Sequence, residues 1–206
     1  MIDTFVFYPN ARFRGDRNYY HSTDCYAHLL EGVETHTSFC CEGPIHVNFR
    51  RPLISMPRFT VSRTGESATQ SNNCAIDFSL VVNKEKVCGW VEPTDKPITL
   101  RQPYCENFVS GANLHENKIV FRYGDRRVSS IEVTTALAME LLRRSVVKNK
   151  RCRWLLTRLM LRQPLNLSVD DKVAVEIIKV IGQRFCNLHV TINSETAGTM
   201  IFMDAP

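Results

Sequence analysis

The sequence predicts an α+β fold built from two similar halves. Short motifs recur in the same order along the chain, and each half begins with one helical segment. Each half then continues with segments of alternating or continuous apolar residues, which are typical of β-strands. One helix followed by an antiparallel meander, twice, is an α+β architecture.

The repeat is visible in three pairs of motifs with nearly constant spacing. FRGDR at 13–17 matches FRYGDR at 121–126, FRRPL at 49–53 matches LRQPL at 161–165, and Cys74 matches Cys186. Each match alone is weak, but their shared order indicates a duplicated unit of about half the chain. We therefore expect a first repeat at 1–95, a linker at 96–116 and a second repeat at 117–206.

The elements follow the same order in each repeat. The first helix is predicted at TDCYAHLLEGV and the second at SSIEVTTALAMELLRR. Clusters such as VNKEK and NSETAG contain turn-forming residues and separate the strands. The predicted strands are IHVNF, RFTVSR, AIDFSLVV and VCGWV in the first repeat, and LLTRLML, KVAVEIIKVI, NLHVTIN and GTMIFM in the second.

The composition favours a soluble cytoplasmic protein with a substantial core. Apolar residues make up 44% of the chain, and no window approaches the run of about 18 apolar residues that a membrane helix needs. The start lacks the pattern of a secretory signal, so the eight cysteines are expected to be reduced. No C-x-x-C pair is present, and the sequence indicates neither a metal site nor a cofactor.

The basic residues are unevenly distributed. The net charge is +5, and eight bases but no acid lie between Arg143 and Arg162. This run indicates an anionic partner, such as a phosphate-bearing ligand or an acidic carrier protein, or else a solvated face. Nucleic acid is disfavoured because no recognised binding motif accompanies the charge.

The most informative segment is GDRNYYHSTDCYA, residues 15–27. In the simplest interpretation Gly15-Asp16 form a turn, Ser22 or Thr23 caps the first helix, and Asp24 complements the helix dipole. That interpretation leaves the grouping of Asp16, Asn18 and His21 upstream of the helix unexplained.

A chemical interpretation accounts for the grouping. A carboxylate and an imidazole on one loop can share a water, and the imidazole exchanges protons near neutral pH. The first N–H groups of the following helix have no intrahelical acceptors and can hold a developing oxyanion. Together these groups suit chemistry beside a thioester carbonyl.

The segment Gly15-Asp16-x-Asn18-x-x-His21, followed after five residues by Ala27, resembles the signature of the MaoC-like (R)-specific enoyl-CoA hydratases. The resemblance implies a hot-dog fold, here a double hot dog whose two repeats form a pseudo-dimer. It implies Asp16 and His21 as the water-activating pair and Asn18 as a positioning residue. The pair Tyr19-Tyr20 departs from the usual proline and aliphatic residue.

Further site residues follow from the resemblance. Hot-dog thioesterases use a similar segment with an aromatic residue further on, a part that Tyr26 could play, and Tyr20 is a second candidate substrate contact. In the second repeat Asp125 persists, but Arg127 and Ser130 replace the Asn and His. Glu132 either complements the second helix dipole, which is favoured, or contacts substrate across the pseudo-dimer interface.

The resemblance implies an enzyme that hydrates or dehydrates an acyl thioester of coenzyme A or acyl carrier protein, in fatty acid or polyketide metabolism. A hot-dog thioesterase or acyltransferase and a non-catalytic acyl-binding protein are the alternatives. Cys25 is a minor candidate nucleophile on the first helix. A homodimer is compatible with the sequence, which leaves the oligomeric state open.

Overall fold

The computed structural model describes residues 4–62, 73–104, 107–124, 128–146, 153–182 and 184–205. The chain divides into two compact units, Met1–Cys105 and Glu106–Pro206. Each unit combines one α-helix with antiparallel strands in its described residues, so the predicted α+β class is confirmed. No helix in the described ranges is long and apolar enough to cross a lipid bilayer.

Within the part of the first unit that the structure describes, there is one α-helix and an antiparallel arrangement of five strands in the order β1-β4-β6-β5-β3. A separate parallel pair is formed by β2 and β7. The helix is α1, Ser22–Thr37. The strands are β1 Phe5–Phe7, β2 Phe13–Arg14, β3 Ile45–Phe49, β4 Ser55–Ser62, β5 Ile76–Val82, β6 Glu85–Pro97 and β7 Arg101–Gln102.

The described residues of the second unit form one α-helix, a short 3-10 helix and six antiparallel strands in the order β8-β9-β11-β12-β13-β10. The α-helix is α2, Ser130–Ser145, which packs against β9 and β11. The 3-10 helix is Asn107–Val109. The strands are β8 Asn113–His115, β9 Lys118–Arg122, β10 Arg153–Leu161, β11 Lys172–Ile181, β12 Phe185–Ile192 and β13 Glu195–Ala205.

The two units repeat local structure but differ in strand order. Tight turns with positive φ at both central residues join β5 to β6 at Asn83-Lys84 and β12 to β13 at Asn193-Ser194, because such turns match the strand twist. In the second unit the predicted meander holds for β11, β12 and β13, which are sequential neighbours, but β10 pairs with β13 and not with β11. It is wrong for the first unit, because the long strand β6 pairs with β5 on one side and β4 on the other.

The predicted linker contains ordered elements. Strand β7 and strand β8 both lie within 96–116, and β6 continues to Pro97. Phe13 pairs with Arg101 in the β2–β7 ladder, so the end of the first unit returns to the segment that precedes α1. This return positions the candidate site.

Helix α1 has an apolar face because its buried residues recur at helical spacing. Leu29 and Val33, four residues apart, are completely buried. Gly32 faces the Phe7 ring so closely that a Cβ atom there would overlap it, and His36 stacks on Phe5 with ring centroids 4.9 Å apart. These contacts fix α1 against β1.

Candidate active site

The loop between β2 and α1 is held by one arginine from β7. The Arg101 guanidinium donates hydrogen bonds to the carbonyl oxygens of Gly15 and Arg17, the latter at 2.9 Å, and to the Asn18 side-chain oxygen at 3.0 Å. Asn18 is exposed, and its hydrogen bond with Arg101 helps to hold the loop in place. Arg101 therefore fixes the backbone path that leads into the helix.

His21 is the N-cap residue of α1 and is buried. Its Nδ1 atom lies 2.7 Å from the Thr23 hydroxyl oxygen. Its ring stacks on Tyr19 with centroids 6.4 Å apart and tilts against Tyr104 at 5.5 Å. The imidazole therefore has a fixed orientation at the start of the helix.

His21 is neutral over the physiological pH range. Burial, with the positive charges of Arg17 and Arg14 as further causes, lowers the pKa of His21 from 6.5 to about 3. A base this weak is poorly matched to proton transfer near neutral pH. A neutral imidazole can instead donate a hydrogen bond to a carbonyl oxygen, as in other enzymes that keep the group uncharged.

Burial of neutral His21 should make the protein less stable as the pH falls from about 7 to about 5. The unfolded chain binds a proton at His21 below pH 6.5, whereas the folded chain resists protonation down to about pH 3. The free energy of unfolding should therefore fall by up to about 1.4 kcal/mol per pH unit through this group. Urea denaturation at several pH values measures the slope, and a His21→Asn variant should show a flatter profile. An equal slope in the variant would contradict the assignment.

A buried ion pair lies beside His21. The Arg14 Nε atom donates to the Asp24 carboxylate at 2.7 Å, and a second guanidinium nitrogen bonds the other oxygen. The guanidinium groups of Arg14 and Arg17 lie over the Tyr104 ring, 5.1 and 4.7 Å from its centroid. Sequence reasoning placed Asp24 only in the first turn and assigned no role to Arg14. The arginine directly before Gly15 was the available signal for a charged partner of Asp24.

Asp16 lies on the anchored loop and is exposed. The described residues provide no hydrogen bond or ion pair between Asp16 and His21. The structure therefore does not bring the predicted acid–base pair into direct contact. A role for Asp16 requires that it act on solvent water, and this role stays a prediction.

Tyr20 and Tyr26 are both buried. The Tyr20 hydroxyl forms a hydrogen bond with His28 Nδ1, and the two rings stack with centroids 5.9 Å apart. Burial raises the pKa of Tyr20 and lowers that of His28. The Tyr20 hydroxyl thus fastens the loop to α1, and a direct substrate contact by either tyrosine stays a prediction.

Cys25 does not have the properties of a nucleophile. It is buried, and burial raises the pKa of its thiol far above the ordinary value. The reactive form of cysteine is the thiolate, so the minor hypothesis of a Cys25 nucleophile is wrong. The described residues also contain no cluster of His, Cys, Asp and Glu that could hold a metal ion.

The two helices differ at their amino ends. His21 gives α1 no side-chain cap, and the described residues provide no acceptor for the N–H groups of Ser22, Thr23 and Asp24. Helix α2 has a capping box, in which the Ser129 hydroxyl accepts from the Glu132 N–H and Glu132 accepts from the Ser129 N–H at 3.0 Å. This cap agrees with the favoured interpretation of Glu132. Substrate contact by Glu132 stays a prediction.

The second-repeat counterpart of the motif is only partly described. Asp125 and Arg127 lie outside the described residues. Ser130, at the position that matches His21, accepts a hydrogen bond from the Leu167 N–H at 2.9 Å. The polar side chains described at the start of α2 are thus already hydrogen-bonded to other groups of the protein. The start of α1 is therefore the candidate site.

No protein-family model and no curated protein sequence matches the chain. Among solved structures, a monomeric dehydratase domain from a trans-AT polyketide synthase split module is 8% identical, with 98% of this chain and 96% of that chain covered and a TM-score of 0.54. The tesB protein of Mycobacterium avium subspecies paratuberculosis is 12% identical over 98% and 93% of the two chains, with a TM-score of 0.50. A protein from Thermobifida fusca YX that has been proposed to be a thioesterase II is 7% identical over 100% and 94%, also at 0.50.

At these identities the likeness concerns the fold alone. In its described residues each unit of this chain combines antiparallel strands with one α-helix. The predicted fold is confirmed: the chain is a double hot dog.

Proposed function

We propose that the first unit processes an acyl thioester, carried by coenzyme A or acyl carrier protein, by adding or removing water. One observation carries the proposal: the amino end of α1 lacks a side-chain cap and lies beside a buried, neutral histidine. Unpaired N–H groups and an uncharged imidazole are donors suited to a carbonyl oxygen that gains negative charge.

The roles follow from these contacts. The thioester carbonyl oxygen accepts hydrogen bonds from the first N–H groups of α1. When His21 Nδ1 accepts the proton of the Thr23 hydroxyl, Nε2 carries the ring proton and donates to the same oxygen. Asp16 is the carboxylate that accepts a proton from water, because it is exposed at the loop that Arg101 anchors.

Reversible hydration of an enoyl thioester is the first reaction. Asp16 takes a proton from water as the water oxygen bonds to the β-carbon, and Asp16 then returns that proton to the α-carbon, which regenerates the carboxylate. The carbonyl oxygen holds the intermediate negative charge, which the donors at α1 stabilise. The Gly15-Asp16-x-Asn18-x-x-His21 motif and the fold shared with a dehydratase domain support this reaction.

Thioester hydrolysis is the second candidate, and the lowered pKa of His21 favours it. With His21 neutral, one carboxylate is the remaining proton acceptor among the motif residues, and hydrolysis needs only one general base. Water then attacks the carbonyl carbon, and the thiolate leaves. The fold shared with the proposed thioesterase II supports this candidate.

Three substrates separate the candidates when each is incubated with the full chain. Loss of the enoyl absorbance of crotonyl-CoA, or its gain from 3-hydroxybutyryl-CoA, is expected for the hydratase. Release of free thiol from a saturated acyl-CoA is expected for the thioesterase. If the protein binds acyl-CoA but transforms none of the three, a non-catalytic acyl-binding protein replaces both enzymes.

A further inference from the structure

The end of the β11–β12 hairpin concentrates exposed apolar side chains. Ten large apolar residues are exposed among the described residues, and four of them lie between positions 178 and 185. The other six are spread from Val6 to Val169, as is normal for a protein surface. The exposed fractions are 57% for Ile178, 42% for Val180, 52% for Ile181 and 41% for Phe185. A concentration of this kind marks an interaction surface.

The hairpin projects from the sheet because β11 continues past its neighbour β9. Strand β9 pairs with β11 only from Lys172 to Glu176, so in the described residues the last part of β11 pairs with β12 alone. In the turn that follows, the Arg184 N–H donates to the Ile181 carbonyl oxygen at 3.2 Å. Gly182 in this turn has a φ of +56°, and a Cβ atom there would meet no described neighbour within 4 Å.

Apolar side chains occupy both faces of this hairpin end. Val180 pairs with the completely buried Cys186, so it lies on the face that is turned toward the core. Ile181 pairs with Phe185, and alternation along the strand places both on the opposite face. Ile178 is the extra residue of a β-bulge. An occupant that lies flat on one face would therefore leave part of this apolar surface in water.

Two bases accompany the apolar residues. Lys179 lies between Ile178 and Val180, and Arg184 directly precedes Phe185. Both bases are exposed, and neither has an ion-pair partner among the described residues. We name the following set the apolar hairpin end: Ile178, Val180, Ile181 and Phe185, together with the bases Lys179 and Arg184.

The nearby acids do not neutralise these bases. The Asp204 N–H donates to the Arg184 carbonyl oxygen at 2.8 Å, and the Asp204 carboxylate accepts the Arg153 N–H at 3.0 Å. Glu176 lies earlier on β11, and its carboxylate is 3.9 Å from the Lys118 ammonium, so those two charges offset each other. The apolar hairpin end therefore keeps a net positive charge.

The basic run predicted between Arg143 and Arg162 does not provide this combination. Arg143 and Arg144 both bond Glu140 on α2, each at 2.6 Å, so they form an ordinary charged helix face. Arg153 and Arg158 also interact with other residues of the protein. Three further bases of the run lie outside the described residues: Lys148, Lys150 and Arg151.

We propose that the apolar hairpin end inserts into the interfacial region of an anionic lipid bilayer and holds the protein at a membrane surface. Lipid acyl chains cover both faces of the hairpin at once, and the lipid phosphates attract Lys179 and Arg184. From Ile178 to Ile181 the strand advances about 10 Å, which agrees with the depth of about 5 to 10 Å that interfacial helices reach. At that depth long basic side chains keep their charges beside the headgroups.

Other occupants fit the apolar hairpin end less well. A second copy of this chain would bring the same bases together without acids to neutralise them. A flat protein surface would cover only one face of the hairpin. A nucleic acid would pair with the bases but leave the apolar side chains uncovered. Attachment to a bilayer surface needs no membrane-spanning segment, and it does not depend on the proposed enzyme activity.

Sedimentation of the full chain with lipid vesicles tests the proposal. The chain should bind vesicles of equal parts phosphatidylcholine and phosphatidylglycerol, and it should bind pure phosphatidylcholine much less. Binding should weaken as salt rises. Lys179→Glu with Arg184→Glu should weaken it at least about tenfold, since each base near an anionic surface contributes about fivefold. Ile181→Ser with Phe185→Ser should weaken it by a similar factor, because less apolar surface leaves water.

A fluorescent variant separates insertion from adsorption by charge alone. In Phe185→Trp the new indole should leave water on binding, so its emission should shift to shorter wavelength and be quenched by lipids brominated in their acyl chains. Phe39→Trp changes an exposed phenylalanine of the first unit and should show neither effect. Both spectra are compared with that of the native chain, which contains Trp90 and Trp154.

The matched charge control is Lys86→Glu with Lys96→Glu, which changes two exposed bases of β6 and should weaken binding far less. Circular dichroism verifies that each variant is folded. Absence of binding to the anionic vesicles, equal weakening in the lysine control, or an unchanged spectrum of bound Phe185→Trp would overturn the proposal. A dimer of the native chain that Ile181→Ser with Phe185→Ser dissociates, without vesicle binding, would also overturn it and assign the surface to a second copy.

Discussion

Replacing Asp24 by asparagine should lower the free energy of unfolding by about 3 to 5 kcal/mol. The side chains of Arg14 and Asp24 are only 11% and 12% exposed, and their pairing neutralises two charges that are removed from water. Asparagine retains the shape of Asp24 but removes the negative charge that the buried Arg14 guanidinium faces. Urea denaturation at neutral pH measures the loss.

The exposed pair of Arg122 and Asp170 is the matched control, with side chains 71% and 75% exposed. Asp170→Asn should cost no more than about 1 kcal/mol, since solvent screens exposed pairs. Replacing both buried partners, Arg14→Met with Asp24→Leu, should recover most of the stability lost in Asp24→Asn. Equal small losses for Asp24→Asn and Asp170→Asn would contradict the burial of the first pair.

Replacing Asp16 by asparagine should lower turnover of the acyl thioester by about 10² to 10⁴-fold, the usual contribution of a positioned general base. Asp16 is exposed, and no described partner depends on it, so the free energy of unfolding should stay within about 0.5 kcal/mol of the native value. Steady-state kinetics and urea denaturation of the same preparation separate the two effects.

Asp95→Asn is the control for this variant, because Asp95 is an exposed carboxylate of the same unit with no proposed role. It should retain full activity. His21→Ala should also lose turnover, with a larger loss of stability because His21 is buried. A fully active Asp16→Asn enzyme would exclude Asp16 as the base, and a fully active His21→Ala enzyme would exclude the site at α1.

The fold could be predicted because its signals are local and occur twice. Helix α1 and helix α2 each follow from an apolar face, and the turns at Asn83-Lys84 and Asn193-Ser194 follow from their residue types. Strand order has no such local signal, because it depends on which strands pair across long distances in the sequence. The sequence therefore did not indicate that β6 separates β4 from β5 in the first unit.

The site could be predicted only where its residues are neighbours in sequence. His21 and Asp16 share a motif, but burial of one and exposure of the other depend on the surrounding chain. Tyr104 and Arg101 come from a segment expected to be a linker, yet they contact the His21 ring and the loop before α1. Such long-range contacts leave no periodic pattern in the sequence.

The low pKa of His21 also depends on a long-range contact that the sequence does not reveal. Arg14 and Arg17 come close to His21 through packing on Tyr104, and their charges add to the effect of burial. From the motif alone, His21 would titrate near neutrality and transfer protons. A buried, neutral His21 is suited to donate a hydrogen bond, and Asp16 is the group that we propose for the proton transfer.

A crystal structure with an unreactive 2-oxoalkyl thioether analogue of an acyl-pantetheine, in which a methylene group separates the carbonyl from the sulfur, tests the central claim most directly. The account predicts that the acyl carbonyl oxygen lies within hydrogen-bond distance of the first N–H groups of α1 and of His21 Nε2, with Asp16 facing the adjacent solvent. An analogue bound elsewhere, with the amino end of α1 still hydrated, would contradict it.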